Sequence, residues 1–218
     1  MSSDNNLDEF LNNQSKKIHS SDRALSKLVR NAYPIGVPAL IMKSSTDRMM
    51  VDSGYSFILG TPDELLRSLA SWLITEAGNT HRVLLKLIKR LWERHGREDV
   101  ALASILLANI DHKGMGTNPW KILEDSIHTV ESIDSLLLNI EELYRAKRQP
   151  PSEELILKWI NGRKIDQHLS LIVIYSGKIH QHDFSEELME KIASIEIPSG
   201  DSILTRIKSN LIENKAHN

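Results

Sequence analysis

The chain has 218 residues, a formal net charge of -2 at pH 7 and no cysteine. That excludes a disulfide framework, a thiolate nucleophile and a cysteine-based zinc or iron–sulfur centre. The near-neutral balance gives no global attraction to nucleic acid or acidic membranes, so a nucleic-acid role requires a local basic surface.

The length suffices for one domain with a sizeable core, and no second independent domain is required. Met1 to Gln14 is polar and acidic rather than basic then apolar, unlike a secretory signal. No apolar run approaches the ~20 residues that span a bilayer. The expectation is a soluble, cytoplasmic protein with no membrane partner, a monomer by preference.

Residues 1–20 read as a polar, loosely ordered leader with a short helix around Leu7 to Leu11, followed by a single domain over 21–218. Ser21 caps a helix carrying Leu25, Leu28 and Val29, which Tyr33-Pro34-Ile35-Gly36-Val37-Pro38 breaks. Ala39 to Met42 and Asp47 to Leu59 have mixed spacing and read as helical. Thr61-Pro62-Asp63-Glu64 offers an N-cap hydroxyl, a proline at the first helical position and a glutamate three residues after the cap. Leu65, Leu66, Leu69, Ala70, Leu73 and Ile74 follow at helical spacing, and Gly78 stops the helix. Thr80 can cap the next helix, with Val83, Leu84, Leu87, Ile88 and Leu91 inward and Gly96 at its end. A third runs from about Arg97, burying Val100, Ala101, Ser104, Ile105 and Leu107 to Ala108.

Asp111 to Asn118 reads as a glycine-bearing loop, and Pro119 opens a helix containing Trp120, Ile122, Leu123 and Ile127. Ile133 to Tyr144 gives another, closed by the basic, proline-rich Arg145 to Pro151. Ser152-Glu153-Glu154 opens a helix through Trp159 that Gly162 ends, and Asp166 to Ser176 is strongly apolar on one side. Ser185 to Ile195 and Asp201 to Ile212 form the last pair. Short connections force consecutive helices antiparallel. Roughly ten or eleven helices, paired about every 35 to 45 residues, point to an all-α, HEAT-like solenoid of stacked antiparallel helix pairs, one face of which suits a long ligand.

Charge is distributed unevenly. From His81 to Asp99 the bases are Arg82, Lys86, Lys89, Arg90, Arg94 and Arg97, against Glu93, Glu98 and Asp99. Positions 82, 86, 89, 90 and 97 fall on one helical stripe or at its end. Arg145, Lys147 and Arg148 form a second knot, and Arg163 with Lys164 a third at a helix–helix turn, where phosphate contacts are expected. The alternative is an ordinary solvated face.

His180-Gln181-His182-Asp183 lacks the i, i+4 helical spacing of a zinc site, and neither a nucleophile elbow nor a phosphate-cradling glycine loop is present. No metal or cofactor is expected. Trp120 and Glu124, four residues apart, share a helix face. An aromatic surface beside a carboxylate suits a cationic base or a sugar oxocarbenium ion. The competing reading makes Trp120 a core anchor and Glu124 a solvent-facing residue.

Leu91-Trp92, Arg97-Glu98-Asp99-Val100-Ala101-Leu102-Ala103, Asn118-Pro119-Trp120-Lys121-Ile122-Leu123-Glu124-Asp125, Leu157-Lys158-Trp159 and Asp166-Gln167-His168-Leu169-Ser170 together resemble the AlkD-like DNA alkylation repair proteins in order and spacing. The resemblance covers roughly residues 60 to 212 and implies an all-helical HEAT-like alkylpurine DNA glycosylase. By it, Trp120 matches the family's cleft tryptophan, Glu124 stands where the family has a catalytic aspartate, and His168 occupies the position of an arginine. The protein would hydrolyse the N-glycosidic bond of N3- or N7-alkylated purines in double-stranded DNA, with phosphates held by Arg82, Lys86, Arg90 and Arg163 beside Lys164. The alternative is a non-catalytic HEAT-like module that binds DNA or a protein partner.

Overall fold

The computed structural model describes residues 3–37, 54–78, 80–129 and 131–213. Among them the chain forms α-helices and one 3-10 turn, and no strand. No helix among the described residues is long and apolar enough to cross a membrane. The chain divides into two compact units, residues 1–126 and 127–218.

The first unit holds α1 (Ser3–Asn12), the 3-10 turn Lys16–Ser20, α2 (Asp22–Ala32), α3 (Asp63–Glu76), α4 (Arg82–Arg94), α5 (Arg97–Asn109), α6 (His112–Met115) and α7 (Pro119–Ser126). α2 packs on α4 and α4 on α7, while α3 packs on α5, and the α4–α5 contact joins the two layers. Glu98 through Ala108 are all buried, so α5 is the central helix and its amphipathic stripe widens to a full circumference. The N-terminal segment is tied to this core, since Leu7 and Leu11 are both buried.

In the second unit, α8 (Ile133–Arg145), α10 (Lys164–Ile179) and α12 (Ser202–Glu213) pack side by side, and α9 (Glu153–Ile160) lies against α11 (Glu186–Ala193). α9 pairs with α10 and α11 with α12. Here the sequence repeats. Ser152-Glu153-Glu154-Leu155 opens α9 and Ser185-Glu186-Glu187-Leu188 opens α11, each serine hydroxyl accepting the N–H of its leucine. The Glu153 carboxylate ties the two openings together, accepting the Ser185 N–H at 2.8 Å and the Ser185 hydroxyl at 2.7 Å.

Several local signals act as expected. Ser21 accepts the Ala24 N–H to cap α2, and Gly78 takes a left-handed φ of +64° just past α3. Others are put to different use. Thr61 does not cap α3; Pro62 holds that position without a side-chain bond, and the Thr61 hydroxyl donates to the Tyr33 carbonyl at 2.9 Å. His81, not Thr80, precedes α4. That helix ends on His95 in the left-handed region at φ 57°, whereas Gly96 has an ordinary φ of -75°. Gly96 matters for a different reason: a Cβ there would lie 2.0 Å from Phe57 Cζ, so the ring would have to shift. The loop before α7 contains the short helix α6, held by His112 between the Leu107 carbonyl (2.6 Å) and the Thr117 hydroxyl (2.9 Å).

The helical expectation for Asp47 to Leu59 fails over residues 54–59, which are non-helical; Ala39 to Met42 and 47–53 lie outside the described residues. The hydrogen bonds of 54–61 explain why. Ser56 donates its N–H to the His95 carbonyl at 2.8 Å, and the Phe57 carbonyl accepts from the Arg97 N–H at 2.9 Å. The N–H groups of Leu59, Gly60 and Thr61 all turn to one oxygen of Glu98. A backbone whose donors and acceptors are taken by distant partners has none left for the i to i-4 ladder.

Candidate nucleic-acid interface

The α4 helix carries Arg82, Lys86 and Lys89 at i, i+4 and i+7, all exposed, opposite the buried Leu84, Leu87, Ile88 and Leu91. Its other two arginines are engaged. Arg90 grips Asp22 through Nε (2.8 Å) and Nη2 (2.7 Å), and this bond, first among the causes, holds the Asp22 carboxyl below the usual carboxylate range. Arg94 clasps the fully buried Asp99, with Nε 2.6 Å from Oδ2 and Nη2 on Oδ1, and reaches the Ser26 carbonyl at 3.0 Å. Asp99 also accepts the Tyr33 hydroxyl at 2.8 Å. Burial, reinforced by the Asp99 charge, pushes the Tyr33 hydroxyl well above the ordinary tyrosine range.

These bonds set helix direction. Asp22 meets Arg90 and Ser26 meets Arg94, so position rises together on both helices and α2 runs parallel to α4. On α2, Arg23 and Lys27 are exposed one position beyond the two residues that face α4. Five exposed cations, Arg23, Lys27, Arg82, Lys86 and Lys89, therefore lie on two adjacent parallel helices. Glu93 is the exposed acid of α4, and the Asp22 charge is already paired with Arg90. The α2 contribution escaped the sequence reading, although Arg23 and Lys27 sit at i, i+4 away from the apolar Leu25, Leu28 and Val29. Arg97, assigned to the same stripe, instead bonds the Thr61 carbonyl (3.3 Å) and Asp63 (3.4 Å).

Trp120 is only 3% exposed, so in this conformation its ring is core and presents no open aromatic platform. Its helix α7 starts where Asn118 Oδ1 accepts the Trp120 N–H at 2.9 Å. Glu124 is partly exposed on α7, between the exposed Lys121 and Asp125 and on the helix that packs against α4.

In the second unit the expected phosphate contacts are differently occupied. Arg163 is locked to Asp166 by Nε (2.9 Å) and Nη2 (2.7 Å) in a two-point ion pair. His168 is half-buried, and burial, the largest influence, lowers its pKa against the opposing pull of Asp201. That direction favours the neutral imidazole, which lacks the permanent charge and the planar donor fork that an arginine brings to phosphate. Lys164 is exposed and lines a cavity. His180 stacks on Tyr144 with centroids 5.3 Å apart and bonds Glu141 at 3.2 Å, while His182 tilts against the same ring at 5.5 Å. The His-Gln-His turn thus closes the end of α10 over an aromatic ring.

Comparison with family models, curated proteins and solved structures found no match to the chain.

Proposed function

We propose that the protein binds double-stranded DNA through the paired cationic helices α2 and α4, as a HEAT-like helical array related in kind to the DNA alkylation repair proteins. The array reading is supported within each unit by the two-layer packing, with like helices side by side, and in the second unit by the serine-capped repeat that opens α9 and α11. The observation that carries DNA binding is the set Arg23, Lys27, Arg82, Lys86 and Lys89 on adjacent parallel helices in a protein of net charge -2. Parallel packed helices sit about 8–10 Å apart, and seven residues of α4 span about 10 Å, so the patch matches a short stretch of duplex backbone.

Electrophoretic or anisotropy titration of a duplex over a range of salt tests this directly. With five phosphates neutralised, log K against log salt should fall with a slope of about -4 to -5. Lys86→Glu with Lys89→Glu should remove most of the binding. A salt-independent affinity, or one unaffected by the double reversal, would overturn the proposal.

Excision of alkylated purines is a second reading, favoured by the position of Glu124 on a helix that packs against cationic α4. The carboxylate would stabilise the developing sugar cation. Wild type should release N3- or N7-methylpurines from methylated duplex and Glu124→Gln should not, with both proteins folded and both binding undamaged DNA. Binding without release by the wild type would leave the non-catalytic module.

A further inference from the structure

A cavity of about 520 Å³ opens in the second unit where the α9–α10 turn faces the segment after α11. Ile160, Ile195, Ile197 and Pro198 supply an apolar wall. The backbone of that wall is held by a side chain of α12, the Ile195 carbonyl accepting Lys208 Nζ at 2.6 Å. The volume is in the range of small-molecule sites, and the lining is more polar than apolar, which suits a small charged ligand with one apolar part.

The polar groups divide by what they have left to offer. Lys164 and Glu196 line the same cavity with opposite charges, yet among the described residues neither has an ion-pair partner. Gln167 spends one amide N–H on the Ile160 carbonyl at 3.1 Å and keeps the other. Asn161 donates to the Leu157 carbonyl (2.8 Å) and Ser194 to the Lys191 carbonyl (2.7 Å), which leaves the oxygens of both side chains as acceptors. Lys164 and Gln167 are thus the donors for a carboxylate. Asn161, Ser194 and Glu196 are the acceptors for the three N–H bonds of an ammonium group.

We propose that this cavity binds a free aliphatic α-amino acid as its zwitterion, the carboxylate on Lys164 and Gln167, the ammonium on Glu196 and the side chain against the isoleucine and proline wall. A phosphate dianion fits poorly, because a single lysine faces it and Glu196 repels it. The site is independent of the DNA-binding reading, which uses residues of the other unit.

The test titrates the full chain, labelled with nitrogen-15, with L-leucine, 4-methylpentanoate and 3-methylbutylamine at matched concentrations. Leucine should shift the amides of Lys164, Gln167, Ile195 and Ile197 saturably, and each singly charged analogue should bind at least about tenfold more weakly, because it loses every charge-assisted hydrogen bond of the missing group. Lys164→Gln and Glu196→Gln, both at exposed positions and checked by circular dichroism, should each weaken leucine by a similar factor. The proposal is overturned by the absence of a saturable leucine shift, by equal binding of either analogue, or by variants that bind leucine as the wild type does.

Discussion

Glu98 accepts the backbone N–H of Gly60 at 2.9 Å, across 38 residues of sequence. The same oxygen also receives the N–H groups of Leu59 (3.0 Å) and Thr61 (3.4 Å), and Glu98 is fully buried. One carboxylate therefore fastens the non-helical segment 54–61 to the start of α5. Glu98→Ala strands three backbone donors and should cost about 3 kcal/mol. Glu98→Gln retains an acceptor oxygen and should cost about 1 kcal/mol. Urea denaturation of the two variants checks the order, and equal losses would show that the fastening is not through hydrogen bonds.

Gly96 meets the same segment through shape. Its φ of -75° is open to any residue, so the demand comes from the Phe57 ring, 2.0 Å from where a Cβ would stand. Gly96→Ala should cost about 1–3 kcal/mol by overpacking. In a Phe57→Ala background the same change should be nearly neutral, because the two sites couple. A double-mutant cycle by chemical denaturation reads the coupling, and simple additivity would place the strain elsewhere.

Two tyrosines make stability fall at high pH. Burial, then the Asp99 charge, raises the Tyr33 hydroxyl; burial, then Glu141, raises that of Tyr144, which donates to the Val173 carbonyl at 2.9 Å. Both remain protonated in the folded chain above the ordinary tyrosine pKa of about 10, where the unfolded chain ionises. Their contribution is complete below that pH and is lost as pH rises toward the folded values. The slope should be about 1.4 kcal/mol per pH unit for each tyrosine. Tyr33→Phe and Tyr144→Phe should each remove one such increment from stability measured between pH 9 and 11.

Cations on the proposed interface should behave alike and differ from paired ones. Alanine at Arg23, Lys27, Arg82, Lys86 or Lys89 should reduce the magnitude of the salt slope for duplex binding by about one unit each. Arg163→Ala should leave the slope unchanged, because that guanidinium already serves Asp166. An equal effect at Arg163 would mean that its ion pair opens on DNA.

Trp120→Ala measures the core rather than the site. With the ring 3% exposed, truncation should cost about 3–5 kcal/mol in stability whether or not the protein acts on DNA. Retention of full stability would contradict the buried placement.

Helix existence was legible in the sequence because it rests on local chemistry. Apolar spacing, the caps Ser21, Ser152 and Ser185, Pro119 and the stop at Gly78 act within a turn or two of chain, and the α-helical class follows from them. Tertiary partners decided where local signals were outbid. Thr61 gave its hydroxyl to Tyr33, residues 54–59 gave their backbone to the α4–α5 turn, and Arg97-Glu98-Asp99, read as part of a family pattern, became the anchors of that segment and of Arg94. The site followed the same division. The α4 stripe of Arg82, Lys86 and Lys89 is periodic and could be read directly, but which arginines remained free depended on acids that packing brought close, Asp22 on α2 for Arg90 and Asp99 on the following helix for Arg94. Helical periodicity fixes which residues share a face; only packing fixes what that face meets, because charge pairing and burial are set by neighbours that the chain brings close after it folds.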